Sequence, residues 1–125
     1  MSTRVPLDFS KLVEKIAGED GIFIQNLRPE DRLRIETEEC YLYEFIVVSP
    51  EKKLVYVIRS NSPYIPQRPV VMHMGGSLLT DFGSTIRDGW ISLGHRLELN
   101  GWVLMPTTRV TVNGQDIFSV QGRIQ

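Results

Sequence analysis

Apolar residues recur at spacings of three and four in one place, where Phe9, Leu12, Val13, Ile16 and Ala17 form a single stripe. Asp8 stands where an N-cap belongs and Gly18 where a helix stops, so the pattern predicts one short N-terminal helix over residues 8–17. So short a helix needs a surface to lie on, an end or face of whatever follows it.

From Arg32 the period changes to two. Leu33 and Ile35 alternate with Arg32, Arg34 and Glu36, which predicts a strand with one wet face. The run from Cys40 to Val48 is apolar on nearly both parities, with Tyr41, Tyr43, Phe45 and Val47 on one side and Leu42, Ile46 and Val48 on the other. It reads as a central strand. Pro50 marks a turn and Leu54 to Arg59 returns, so residues 32–59 form a three-strand meander.

Pro63, Pro66 and Pro69 interrupt the pattern, making 60–69 a proline-rich surface loop. Strands resume across 70–120, beginning at Val70 to Met74. Asn100-Gly101 and Asn113-Gly114 each have the composition of a two-residue hairpin turn, in which both positions take positive φ. Counting outward from these turns sets Leu99 opposite Trp102, Leu97 opposite Leu104 and Val110 opposite Ile117. The chain is therefore expected to be all-β and mainly antiparallel, a compact barrel or sandwich of about seven strands with one short N-terminal helix.

Composition narrows the reading. A length of 125 residues fits one domain over 1–125. With 42% hydrophobic and 23% charged residues, disorder and coiled-coil architectures are disfavoured. The 14 Lys plus Arg against 15 Asp plus Glu argue against a polyanion as main partner. Cys40 is the single cysteine, the first ten residues hold no apolar signal stretch, and no apolar run is long enough to span a bilayer. These features lead to the expectation of a soluble cytoplasmic protein with no membrane contact.

Candidate chemistry is sparse. His73 lies between Met72 and Met74, but on a strand the methionines and the histidine point to opposite faces, so no metal site is expected. No serine sits in a nucleophile elbow, and Gly75-Gly76-Ser77 lacks the lysine of a phosphate-binding loop. No cofactor is expected and the reading leans away from an enzyme. His95 shares parity with Ile91, Leu93, Leu97 and Leu99 and so points at the core, unless a bulge at Gly94 turns it outward. Trp90 falls on the opposite parity, outward, where a tryptophan marks a contact surface.

Lys52, Lys53, Arg59 and Arg68, interleaved with Tyr56 and Tyr64, form a basic segment free of acidic residues. Such a segment suits single-stranded nucleic acid, but the acidic stretch Glu30 to Glu39 offers pairing within the fold, which is the favoured reading. Tyr64, Pro66 and Arg68 match a polyproline II segment able to dock on a partner, or simply to connect two halves of the sheet. The functional expectation is a non-catalytic protein-binding or self-associating module, with Tyr64, Pro66, Arg68, Trp90 and His95 as candidate contacts. The alternatives are a ligand-binding or enzymatic barrel using His95 at a cavity, and weak nucleic-acid binding through Lys52, Lys53, Arg59 and Arg68.

Overall fold

A computed structural model describes residues 21–63, 65, 69–79 and 85–119; the helix expected over 8–17 lies outside them. The described chain is mostly antiparallel β, a closed six-stranded barrel with further strands attached. Its strands are β1 (Gly21–Phe23), β2 (Arg32–Thr37), β3 (Leu42–Ser49), β4 (Leu54–Ser60), β5 (Val70–Leu78), β6 (Ile86–Asp88), β7 (Trp90–Ser92), β8 (Arg96–Leu99), β9 (Trp102–Val112) and β10 (Gln115–Ser119). Two 3-10 turns, Ile24–Asn26 and Glu38–Cys40, are the only helical segments among the described residues. None is long and apolar enough to cross a membrane.

The barrel closes in the order β9-β2-β3-β4-β5-β8 and back to β9. Two strands make closure possible because each serves two neighbours in succession. β5 pairs with β4 through Val70–His73 and then with β8 from Met74 to Ser77. β9 pairs with β8 near Trp102 and with β2 from Thr107 to Val112. β6 and β10 extend β5 and β9 outside the ring, and β1 with β7 forms a separate two-stranded ribbon.

Alternation in the sequence fills the interior. Leu33 and Ile35 of β2, Tyr43, Phe45 and Val47 of β3, Val55 and Val57 of β4, and Met72 and Met74 of β5 all face inward and are buried. The ribbon contributes Ile22 and Ile91 to the same core, and the turn after it adds Ile24. Removing these side chains from water is the main favourable term holding the fold.

Both Asn-Gly pairs form the expected turns, with φ of 51° and 91° at Asn100 and Gly101 and 51° and 84° at Asn113 and Gly114. Leu99 faces Trp102, but the simple count fails farther out. Arg96 is opposite Pro106, so β9 carries an extra residue after Val103. Val110 is opposite Phe118, not Ile117, because β10 bulges at Ile117. Asn113 does more than turn the chain: its Oδ1 accepts from the Arg32 amide at 2.8 Å, and its Nδ2 donates to Asp31 Oδ1 at 3.0 Å. The β9–β10 turn is thereby tied to the start of β2.

Candidate functional site

The outer face of the barrel at β3, β4 and β5 carries apolar side chains. Residues that alternate with the buried ones on β3, β4 and β5 point outward, and in register they line up across strands: Arg32 faces Ile46, Ile46 faces Tyr56, and Tyr56 faces Val71. Tyr56 is 37% exposed, Val71 50% and Val48 44%, with Ile46 and Leu54 half-buried beside them. β3 thus has apolar residues on both faces, as its sequence reads, yet the described residues cover only the inner one. A contiguous apolar row rimmed by polar residues is the kind of surface at which proteins make contacts.

Next to this row runs a line of charges. In register, Asp116 of β10 neighbours Thr111 of β9, which neighbours Arg34 of β2, then Glu44 of β3 and Arg59 of β4. Arg109 grips Asp116 with two bonds, Nε to Oδ1 at 2.9 Å and Nη2 to Oδ2 at 2.6 Å, and the Thr111 hydroxyl lies 3.0 Å from Oδ1. Bonding to the guanidinium and to Thr111 holds the Asp116 carboxyl below the ordinary aspartate range. The bond to Asp116 in turn raises Arg109. Glu36 sits 3.7 Å from both Arg34 and Arg109, and Arg59 meets Glu44 at 2.7 Å.

Two open clefts flank this line and share Arg34 and Arg109. One of about 320 Å³ is floored by Leu33, Phe45 and Ile58 and rimmed by Arg32, Glu44 and Asp116. The other, about 530 Å³, lies against Glu38, Glu39, Cys40, Tyr41 and Asn61. Glu39 and Cys40 both take positive φ, 66° and 64°, and the Asn61 amide donates to the Cys40 carbonyl at 3.1 Å, bracing the turn. The carboxylates that line the clefts are largely taken up in ion pairs, and among the described residues no group of three or more His, Cys, Asp or Glu gathers to hold a metal ion.

The residues singled out by sequence are not brought together. Tyr64, Pro66 and Arg68 lie outside the described residues. Trp90 is buried, 3% exposed, not outward. Its ring centroid is 4.7 Å from that of Phe23, and the Arg87 guanidinium stacks on it at 4.4 Å. Parity counting fails here because Gly94, at φ 80°, breaks the strand between β7 and β8, so the two halves no longer share a face.

The same break turns His95 outward. It is exposed, its Nδ1 lies 2.8 Å from the Ser92 hydroxyl and 3.1 Å from the Leu93 carbonyl, and it lines neither cleft. Ser92 itself is 3% exposed, so this Ser-His contact offers no accessible nucleophile. Of the basic segment, Arg59 is paired with Glu44, Lys53 reaches Asp88 at 3.1 Å, and Lys52 is exposed in the β3–β4 turn.

What sequence reasoning passed over is the row itself, Ile46, Tyr56 and Val71. The signal lies in the two-sided apolar character of β3, where Ile46 and Val48 face away from Phe45 and Val47. Compared with known protein families, with curated proteins and with solved structures, the chain matches none.

Proposed function

We propose that the chain is a non-catalytic binding module that meets protein through the outer face of β3, β4 and β5. The observation that carries this reading is the in-register row Ile46, Tyr56 and Val71, widened by Val48 and Leu54 and uncovered by any described residue. Tyrosine and aliphatic side chains bordered by charge have the make-up of an interface centre with its polar rim. The polar groups near His95 and Asp116 bond to their own surroundings, which supports binding over catalysis. Neutralisation of Arg59 and Lys53 within the fold weakens the nucleic-acid alternative. An exposed, unpaired Cys40 supports a reducing, cytoplasmic setting.

A photo-reactive benzoylphenylalanine in place of Tyr56, compared with the same group in place of Glu38 on the charged side, tests the reading. Protein adducts concentrated at position 56 are expected, in purified material or in extract. Equal yields at both positions, or none at 56, refute it.

A further inference from the structure

We infer that residues 120–125, Val-Gln-Gly-Arg-Ile-Gln, leave β10 across the outer face of β9 and lie in the larger cleft, with Arg123 on Glu38 and Glu39. The contact is separate from the apolar row, since Ile46, Tyr56 and Val71 do not line this cleft. It starts from the end of β10. Ser119 is opposite Arg109, and the next positions on that edge of β9 are already filled: the Thr107 amide donates to the His95 carbonyl at 3.0 Å and the Gly94 amide to the Thr107 carbonyl at 2.8 Å. The chain cannot go on as a partner of β9 and quits the sheet after Ser119. Inward, Thr37, Thr107 and Phe118 are buried against a filled core. The way out is over the outer face, toward β8 on one side or toward β2 on the other.

Charge separates these two courses. Toward β8 the chain meets Arg96, and Glu98 there is engaged by the Gly101 amide at 2.6 Å. Toward β2 it meets the cleft, where the Glu38–Cys40 turn packs against β9. Counted in full, the charges in and around the cleft are Arg34, Arg59 and Arg109 against Glu36, Glu38, Glu39, Glu44 and Asp116. Arg59 is held by Glu44 and Arg109 by Asp116, and Glu36 lies between Arg34 and Arg109. Glu38 and Glu39 are left exposed and without an ion pair among the described residues. Arg32 stands at the far end of β2 and lines only the smaller cleft. The charged side chain of residues 120–125 is Arg123, of the sign this excess attracts.

Reach agrees. β2 lies two strand spacings from β10, about 10 Å, and four residues beyond Ser119 span up to about 14 Å. Arg123 therefore arrives at the two carboxylates with its side chain still to extend, and Ile124 comes to the wall made by Tyr41 and Leu42. A single exposed ion pair is weak, but a tethered one forms within the molecule and needs little affinity to be occupied. The cleft is a seat for an arginine-bearing extended segment, and the chain fills it with its own.

Cys40, the single cysteine, lines the same cleft and serves as the probe. In the full chain carrying Gln125→Cys, oxidised glutathione should close an intrachain disulfide between Cys40 and the introduced thiol, read as a monomer with both thiols protected from alkylation. Its rate is taken relative to the reaction of Cys40 alone with oxidised glutathione, so that altered thiol reactivity cancels. Adding Arg123→Glu should slow closure by about threefold or more, and adding Glu38→Lys and Glu39→Lys to that variant should restore it. Closure at a rate indifferent to these charges, a disulfide formed only between chains, or no disulfide at all overturns the inference, whichever way the benzoylphenylalanine at position 56 reports.

Discussion

Thr107 offers the sharpest test of the interior. Its side chain faces inward from β9, is fully buried, and its Oγ1 has no hydrogen-bond partner among the described residues. A hydroxyl taken out of water without a partner costs about 1–3 kcal/mol. Thr107→Val exchanges that hydroxyl for a methyl of nearly the same shape, keeps the β-branch that suits a strand, and removes the penalty without opening a cavity. A gain of at least about 1 kcal/mol follows, or a rise in Tm of about 3–5 °C for a chain of this size. Urea denaturation should show a higher midpoint with unchanged slope.

Thr111→Val is the matched control on the same strand. Its hydroxyl lies 3.0 Å from Asp116 Oδ1, so losing it should destabilise by about 1 kcal/mol. Opposite signs for the same chemical change are the expected result. A Thr107→Val protein less stable than the parent would refute the claim that this hydroxyl is unsatisfied.

Asn113→Ala should destabilise by about 2–3 kcal/mol in urea, since it loses two side-chain bonds to Asp31 and Arg32 and leaves an ordinary residue at positive φ. Asn100→Ala, where the side chain makes no such tie among the described residues, should cost about 1 kcal/mol, the conformational part alone. By NMR the Asp116 carboxyl should titrate below the usual aspartate range and move back toward it in Arg109→Gln. Because the folded value is the lower one, the associated stability is present above the ordinary aspartate pKa and is lost as pH falls through the folded value. Added salt should shrink it, both groups being near the surface.

The architecture was legible wherever one physical rule acted alone. Alternation placed Leu33, Ile35, Tyr43, Phe45, Val55 and Val57 on the inside, and it set His73 out between two inward methionines. Asn-Gly pairs located both hairpins because few other residues accept positive φ at two consecutive positions. The reading failed where backbone shifts break the count. The bulge after Val103 is marked only by Pro106, which has no amide to give the ladder and stands opposite Arg96, and the bulge at Ile117 is marked by no special residue. Gly94 disconnects Trp90 from His95, so parity misplaced Trp90, while His95 turns outward as a break at Gly94 allows. β1 is three residues, Gly21–Phe23, and exists because β7 is there to pair with it. The apolar row was written in β3 from the start; whether such a strand is covered on its second face is a property of the assembled chain, not of the strand.

β5 and β9 each lend their opening residues to one wall of the barrel and their later residues to another. Neither wall owns a complete set of strands, so the molecule has no seam along which to melt by halves. The paired amides of the six barrel strands belong to one cooperative unit, exchanging with solvent through the same global opening. Such a barrel must also bring residues distant in sequence together before any wall is finished, which makes it a slow folder and a protein whose native state, once closed, comes apart all at once.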